Sequence, residues 1–455
     1  MATNRFSFFE DLVSTLVERG SRVLPWTTSD WRNMSLSDLC HALLSRRGEA
    51  SGVSMADHIL ERYAGLEAEE KRDFFLMLAG ELNVDQDALR DAARAYADDP
   101  SQANLDQLQR LSEPSRQNLL RLLNTAPSGT LRLVRMREDL MPLARELPEL
   151  SPVDQDFRHL FASWFNRGFL VMRHIDWQTP AHILEKIIAY EAVHEISDWD
   201  DLRRRLQPDD RRCFAFFHPA MPDEPLVFVE VALAGDVATS IQDVLSDARD
   251  IVTPQQANTA VFYSISNCQK GLQGVSFGHF LIKQVASDLK AEITGLKTFV
   301  TLSPVPNFMH WLRNAAEGDP DGAASRALVR SMEDWRSEAE IEKSAKPELM
   351  AQAADYFLNA KRGDGKPIDA VARFHLGNGA LLRQINWRGD MSDKGLANSA
   401  GMMVNYEYDL GQVEANHEAY AETGAIKTTS KVRGLLPSRA APRVPTPVDN
   451  AVATG

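Results

Sequence analysis

The most informative run of the chain comprises Thr259-Ala-Val-Phe-Tyr-Ser-Ile-Ser266, Gly271-Leu-Gln-Gly274 and residues 277–290. The first segment alternates β-branched and aromatic residues with smaller ones, which predicts a strand. The two glycines predict a tight turn, and residues 277–290 carry apolar side chains at helical spacing. Residues 298–302 predict a second strand. The order is therefore strand, glycine loop, helix, strand.

Further strands flank this unit. Residues 213–217 and 226–233 are predicted to form strands joined by a turn at 218–224, and residues 402–408 predict another strand. Ser303-Pro-Val-Pro306 follows the second strand of the unit. Because a proline lacks the N–H donor of a ladder, we expect the chain to leave the sheet at this point.

The first third of the chain has a helical pattern throughout, from residue 6 to about residue 150. Apolar residues recur three and four positions apart, as in Phe74, Phe75, Leu78 and Leu82. Proline-containing turns separate such segments, which indicates a bundle of antiparallel helices. We predict three parts: a helical N-terminal domain at 1–152 that serves oligomer contacts or scaffolding, a mixed domain of strands and helices at 153–425, and a flexible C-terminal tail at 426–455.

The composition is that of a globular protein. Of 455 residues, 44% are hydrophobic and 25% are charged, which excludes disorder throughout and a collagen-like repeat. Fifty Lys and Arg against sixty-four Asp and Glu give a net charge of −14. This charge repels nucleic acids and anionic membranes, so we expect neither as a partner, and an anionic ligand would need a local site.

The three cysteines, Cys40, Cys213 and Cys268, form no CxxC pair and no Cys/His cluster. We therefore expect no disulfide framework, no metal site and a reducing, cytoplasmic location. The sequence contains no apolar run of the roughly 20 residues that span a bilayer, and residues 1–10 lack the apolar core of a secretory signal. The C-terminal Ala-Thr-Gly matches no organelle address signal.

Three features could carry chemistry. A glycine loop between a strand and a helix presents backbone N–H groups and the positive end of the helix dipole, which suits a phosphate or pyrophosphate, although such glycines usually serve the turn alone. Ser303 follows a strand and is held by two prolines, but it lacks the GxSxG elbow of a hydrolase and is more often a local hydrogen-bonding residue. His375 precedes Leu-Gly-Asn-Gly379, which predicts a loop that aims the imidazole into a cleft, although a lone histidine is more often structural.

Several separated blocks, in one order between residues 157 and 410, closely resemble the malonyl-CoA decarboxylase family. They are Tyr263-Ser-Ile-Ser266, Gly271-Leu-Gln-Gly-Val275, Phe280-Leu-Ile-Lys283, Leu302-Ser-Pro-Val-Pro306, Phe374-His-Leu-Gly-Asn-Gly-Ala380 and Arg383-Gln-Ile-Asn-Trp387. The resemblance implies an α+β fold, in which an N-terminal helical bundle precedes a catalytic domain of the GNAT (acetyltransferase) type. In that fold a strand-loop-helix unit grips the CoA pyrophosphate. The loop departs from the acetyltransferase pattern Gln/Arg-x-x-Gly-x-Gly/Ala, since it has Gln269-Lys-Gly-Leu-Gln-Gly274.

The resemblance also implies the site residues. Ser303 would contact the malonyl group as proton acceptor or as the residue that orients the carboxylate, and His375 would be the proton donor. The residues that would bind the CoA portion are Gln273, Gly274, Val275, Ser276, Phe277, Gly278 and His279.

The implied reaction converts malonyl-CoA to acetyl-CoA and CO2. Loss of CO2 leaves charge that the thioester delocalises as an enolate, so no metal or organic cofactor is expected beyond the CoA of the substrate. The family also implies a homo-oligomer, and the sequence does not separate a dimer from a tetramer. A CoA-dependent acyltransferase of GNAT type and a non-catalytic acyl-CoA sensor are the alternatives.

Overall fold

A computed structural model describes residues 31, 33–45, 49–275, 281–318 and 339–436. The chain divides into two compact units. The first comprises the residues up to Gln207 together with Arg212–Glu230 and Ser264–Leu281, and the second comprises Pro208–Arg211, Val231–Tyr263 and the residues from Ile282 onward. The domain boundaries expected at residues 152 and 425 stay predictions.

Ten helices of the described residues lie in the first unit. They are α1 Leu36–Ser45, α2 Glu49–Ala64, α3 Ala68–Gly80, α4 Gln86–Asp98, α5 Gln102–Ser112, α6 Ser115–Leu123, α7 Gly129–Glu146, α8 Ser151–Trp164, α9 Ala181–Tyr190 and α10 Trp199–Leu206. Short 3₁₀ turns at Pro148–Leu150, Arg167–Phe169 and Lys270–Leu272 join some of the elements. The helical character predicted for this part of the chain is confirmed for its described residues.

Local sequence explains where these helices begin and what they bury. Glu67 and Glu70 form a capping box at the start of α3, and the Asp85 carboxylate accepts the backbone N–H groups of the first turn of α4. Such contacts satisfy the donors that a helix start leaves open. Phe74, Phe75 and Leu78 are buried, as the apolar spacing predicts.

The strands are β1 Val171–Ile175, β2 Arg211–Phe217, β3 Val227–Ala234, β4 Thr259–Asn267, β5 Thr298–Thr301, β6 Ser303–Pro304, β7 Leu381–Asn386 and β8 Met403–Glu407. In the first unit β1 pairs with β2 antiparallel, with Val171 opposite Phe217, and the strand order is β1-β2-β3-β4. In the second unit the order is β3-β4-β5-β8-β6, and β7 also pairs with β8. Strands β2, β3 and β4 contribute residues to both units.

The structure contains the strand, glycine loop, helix and strand predicted in that order from the sequence. Strand β4 runs parallel to β5, with Thr259 opposite Thr298, and the glycine turn and α12 Leu281–Glu292 connect them. The helix predicted from residue 277 is observed from Leu281, and residues 276–280 lie outside the described part of the chain. The α+β class is confirmed.

Ser303-Pro-Val-Pro306 corrects one expectation. The chain does not leave the sheet after β5, because Ser303 and Pro304 pair with Val404 and Met403 of β8 as the short strand β6. Strand β6 is the last in the strand order and so lies at an edge of the sheet. An edge position tolerates a proline, because the N–H that proline lacks is not needed for pairing with a further strand.

The remaining helices of the second unit are α11 Ile241–Leu245, α13 Phe308–Gly318, α14 Ala339–Leu358, α15 Ala370–Gly377, α16 Asp393–Ser399, α17 Val413–Thr423 and α18 Ser430–Arg433. The tail expected to be flexible from residue 426 begins with folded residues, because Leu382 of β7 donates its N–H to Lys427 and α18 follows. Residues 437–455 lie outside the described part. Among the described helices, none is both long and apolar enough to span a membrane.

Candidate active site

Ser303 occupies a buried position beside the end of β5. Ser303 is a residue of strand β6, and only 5% of it is exposed. The Ser303 hydroxyl donates to Thr301 Oγ1 at 2.8 Å. Thr301 Oγ1 also accepts the Tyr406 backbone N–H at 3.1 Å. The serine is therefore held by β5 and β8 as well as by its own prolines.

His375 lies in the last turn of α15, which corrects the expectation that it sits in a loop. Asp369 caps the start of this helix. Its buried carboxylate accepts hydrogen bonds from the Ala372 backbone N–H at 2.7 Å and from the Tyr356 hydroxyl at 3.0 Å. The helix ends before Gly379, which has a φ of +82°. The predicted Leu-Gly-Asn-Gly loop thus terminates the helix that presents the histidine.

The structure brings Ser303 and His375, which are 72 residues apart in sequence, into direct contact. The distance between His375 Nε2 and Ser303 Oγ is 3.1 Å, and that between His375 Nδ1 and the Tyr408 hydroxyl is 2.8 Å. The imidazole also stacks on the Tyr406 ring, with centroids 4.6 Å apart and planes inclined by 23°. Tyr408, His375, Ser303 and Thr301 therefore form one hydrogen-bonded row.

Burial sets the protonation states in this row. It lowers the pKa of His375 from 6.5 to about 3 and raises the pKa of Tyr408 well above its ordinary value. At neutral pH the imidazole is therefore neutral and the phenol keeps its proton. Because the Ser303 hydroxyl donates to Thr301, His375 donates Nε2–H to Ser303 and accepts the Tyr408 proton at Nδ1.

The glycine loop lies in the first unit, where an arginine anchors it. The Arg137 guanidinium donates to the carbonyls of Gly271 and Gln273 at 2.7 and 2.9 Å and is itself held by Asp154. A Cβ atom at Gly271 would stand 1.9 Å from the Val134 carbonyl oxygen, so only glycine fits there. The turn is therefore fixed rigidly against α7.

The described part of the loop offers few open N–H groups. Gln273 and Val275 donate theirs to Lys270 and Leu272 within the turn, and Gly274 adopts a φ of +78°. The other predicted CoA contacts, Ser276, Phe277, Gly278 and His279, lie outside the described residues. CoA binding by the predicted segment 273–279 stays a prediction.

A second polar cluster, in the first unit, was not singled out from the sequence as functional. The Glu191 carboxylate accepts the Ser264 hydroxyl at 2.7 Å, the Ser266 hydroxyl at 3.1 Å and the backbone N–H groups of Val193 and His194. These contacts join the segment after α9 to β4. They explain why Glu191 can lie beside a buried strand.

His218 forms contacts with the Trp164 carbonyl and with its own turn, and the cysteines are free and buried. Within the described ranges, no three His, Cys, Asp or Glu side chains form a group that could hold a metal ion.

Two family profiles match the chain. The profile described as "Malonyl-CoA decarboxylase N-terminal domain" matches residues 82–165, and the one described as "Malonyl-CoA decarboxylase C-terminal domain" matches residues 168–445. Curated relatives agree with them. The mitochondrial malonyl-CoA decarboxylase of Anser anser anser is 33% identical over 412 residues, which cover 82% of this chain and 81% of the relative. The enzyme of the same name from Rattus norvegicus is 34% identical over 361 residues and 73% of each chain.

Solved structures extend the similarity to three dimensions. The crystal structure of malonyl-CoA decarboxylase from Rhodopseudomonas palustris has 50% sequence identity and a TM-score of 0.84, and it covers 88% of this chain and 98% of that one. The one from Agrobacterium vitis has 49% identity and a TM-score of 0.85, and it covers 89% of this chain and all of that one.

Proposed function

The chain belongs to the malonyl-CoA decarboxylase family, and on that premise we propose how its own residues convert malonyl-CoA to acetyl-CoA and CO2. The enzyme is a decarboxylase of the lyase class. The observation that carries the proposal is the buried contact between Ser303 Oγ and His375 Nε2. A neutral donor pair in a site that excludes water suits the stabilisation and protonation of an enolate.

Ser303 orients the departing carboxylate. Loss of CO2 is easiest when the carboxylate stands out of the plane of the thioester carbonyl, because the electron pair then enters the enolate directly. Ser303 is fixed by β6 and by its contact with Thr301, so its hydroxyl can turn to a carboxylate without movement of the backbone. A single preorganised donor is commonly worth about 2.7–4 kcal/mol of the barrier.

His375 delivers the proton. After CO2 leaves, the C2–H bond of acetyl-CoA forms as the Nε2–H bond breaks, and Nδ1 takes the hydroxyl proton of Tyr408. After the product leaves, Nε2 takes a proton from water and Nδ1 returns its proton to the Tyr408 phenolate, which restores the starting state, so each turnover consumes one proton. The imidazole is neutral before and after the step and only changes its tautomer. A thioester enolate is a far stronger base than a phenolate, which makes the transfer downhill.

The segment 273–279 binds the CoA portion in this proposal. The support is the motif, the rigid anchoring of its first residues by Arg137, and the N-terminus of α12 that follows it. The enolate needs no metal or organic cofactor, because the thioester itself delocalises the charge. We also propose a cytoplasmic location and a homo-oligomer, either dimer or tetramer, that uses the helical N-terminal part.

The test is the stoichiometry of CO2 and acetyl-CoA released from malonyl-CoA by purified protein dialysed against EDTA. We expect equal amounts of both products and no change when divalent metals are added back. Transfer of the acyl group to an amine without CO2 would favour the acyltransferase alternative, and tight malonyl-CoA binding without turnover would favour the sensor. Activity that depends on added metal would refute the cofactor-free reaction.

A further inference from the structure

A cavity of about 450 Å³ in the second unit has no role in the chemistry proposed above. Among the described residues, its lining includes three cations, Lys346, Arg383 and Lys431, and one carboxylate, Asp236. The Arg383 guanidinium is paired with Glu407 at 2.7 Å, and the Lys431 ammonium donates to Gln384 Oε1 at 3.1 Å. Both lysines are exposed. In a chain with a net charge of −14, this excess of positive charge marks a local site for an anion.

The neutral part of the lining narrows the ligand class. Gln384 and Asn386 contribute carboxamides and Trp387 contributes a half-buried indole. Carboxamides hydrogen-bond to polar groups in the plane of a ligand, and an indole stacks on flat rings. The volume lies in the range of small-molecule sites, and the chemistry fits a small organic anion that joins a phosphate or carboxylate to a planar group.

The cavity lies on the opposite face of β8 from the proposed catalytic residues. Successive side chains of a strand point to opposite faces, so Asn405 faces away from its neighbour Tyr406, on which His375 stacks. Asn405 is completely buried and accepts hydrogen bonds from Gln384 and Asn386 at 2.9 and 2.7 Å. The cavity is therefore a different site from the Ser303–His375 pair.

A short row of hydrogen bonds nevertheless joins the two faces. Asn405 Nδ2 donates to the Thr301 carbonyl at 2.6 Å, and Thr301 Oγ1 accepts the Ser303 hydroxyl at 2.8 Å. Two steps thus separate the cavity-lining Gln384 and Asn386 from Thr301, the residue that holds Ser303. A ligand that forms hydrogen bonds with these two carboxamides would weaken their bonds to Asn405. The contacts of Asn405 with Thr301, and of Thr301 with Ser303, would then be held less firmly.

We propose that this cavity binds a small organic anion and that its occupancy lowers the rate of decarboxylation through Asn405 and Thr301. The binding part stands on the cavity alone. The second part rests on the proposed role of Ser303.

The experiment is titration calorimetry of the whole protein with AMP, which joins a dianion to a flat ring. Inorganic phosphate and adenosine test the two halves separately. We expect AMP to bind more tightly than either half, and to bind equally well in the presence of saturating acetyl-CoA. The Lys346→Gln/Lys431→Gln double variant should bind AMP about tenfold more weakly or worse, because each lysine supplies a charge-assisted contact. Arg433→Gln, which changes an exposed cation on the same helix as Lys431, should leave the affinity unchanged.

Several results would overturn the site. They are failure of AMP to bind at millimolar concentration, equal affinity in the double variant, and displacement of AMP by acetyl-CoA, which would assign the cavity to the substrate. The coupling has its own readout, since saturating AMP should lower kcat about fivefold in the wild type and in Arg433→Gln but not in the double variant. Unchanged kcat would overturn the coupling. Because calorimetry needs no turnover, absence of decarboxylation would refute the proposed function and leave the binding result intact.

Discussion

At the level of single residues, the chemistry of His375 follows from its burial beside neutral partners. Among the described residues its hydrogen-bond partners are the hydroxyls of Ser303 and Tyr408, and only 3% of the residue is exposed. Burial disfavours the charged imidazolium, so the pKa falls to about 3. A neutral imidazole can release a proton from one nitrogen while the other nitrogen accepts a proton, so no buried charge forms on the ring.

The pH profile tests this state. Because His375 loses its proton near pH 3 in the free enzyme, kcat/KM should show no titration of this group between about pH 5 and 8. The measurement is kcat/KM for malonyl-CoA at constant ionic strength across that range. A decline on raising the pH with an apparent pKa near that of a free imidazole would mean that the imidazolium is the proton donor.

Tyr408→Phe tests the proton relay. The variant removes the hydroxyl that lies 2.8 Å from His375 Nδ1 and should lower kcat at least about tenfold, since a positioned acid contributes that much or more. The solvent isotope effect on kcat should change as well, because fewer protons move in the step. Tyr406→Phe is the matched control, because it keeps the stacked ring and the Tyr408 contact. An unchanged kcat in Tyr408→Phe would remove this hydroxyl from the relay, and an equal loss in both variants would show that the effect is not specific to the Tyr408 hydroxyl.

Ser303 and His375 were identified from the sequence by the motif blocks in which they lie. The residues around each of them, taken alone, favoured a structural role over a catalytic one. The sequence could not supply the partners, because Thr301 and Tyr408 contact the pair only after β5 and β8 become neighbours in the sheet. The pattern of the predicted strand 402–408 contained a usable signal, since Tyr406 and Tyr408 are two residues apart and would share one face of that strand.

Among the elements, the end of α15 sets the position of the histidine. Gly379 follows this helix with a φ of +82°, and a Cβ atom there would lie 2.0 Å from the Val413 carbonyl oxygen. Two separate requirements therefore select glycine, the left-handed backbone and the close approach of α17.

Gly379→Ala and Gly365→Ala separate these requirements. Gly365 has a similar φ of +76°, and no atom of the described residues lies within 4 Å of the position that a Cβ would take, so its substitution should cost about 1–2 kcal/mol of unfolding free energy for the left-handed backbone alone. Gly379→Ala adds the clash and should cost clearly more. Urea unfolding of both variants measures the difference, and equal losses would show that the backbone of α17 yields freely.

Sequence patterns predicted these elements unevenly. Alternation and helical spacing identified β4, α12 and β5 because each is long enough or regular enough to show its period. The patterns placed His375 in a loop because α15 has only eight residues and a glycine-rich end. They also missed β6, since two residues in an edge strand have no period, and a proline there resembles a strand end.

For the molecule as a whole, one buried carboxyl links stability to pH. Glu230 on β3 is completely buried, contacts Arg205 at 3.3 Å, and burial raises its pKa from 4.5 to about 8. The folded protein therefore holds this proton more tightly than the unfolded chain does. The stabilisation is complete below about pH 4.5 and disappears as the pH rises to about 8.

Glu230→Gln should remove this dependence. The amide mimics the protonated carboxyl, so the variant should lose less stability than the wild type as the pH rises from about 5 to 8. The measurement is the midpoint of urea unfolding against pH. Glu185→Gln, which changes an exposed carboxylate in the same unit, should keep the slope of the wild type. A wild-type slope in Glu230→Gln would show that Glu230 is ionised in the folded protein throughout this range.

The most direct measurement of the central claim is the kcat for malonyl-CoA of Ser303→Ala, His375→Asn and the double variant, each with acetyl-CoA affinity determined in parallel. If the two side chains act as one unit, each single change lowers kcat by about two to three orders of magnitude, and the double variant is no slower than the worse of the two. Acetyl-CoA affinity stays near that of the wild type in all three. A kcat that is unchanged in either single variant, or losses that multiply in the double variant, would contradict the account.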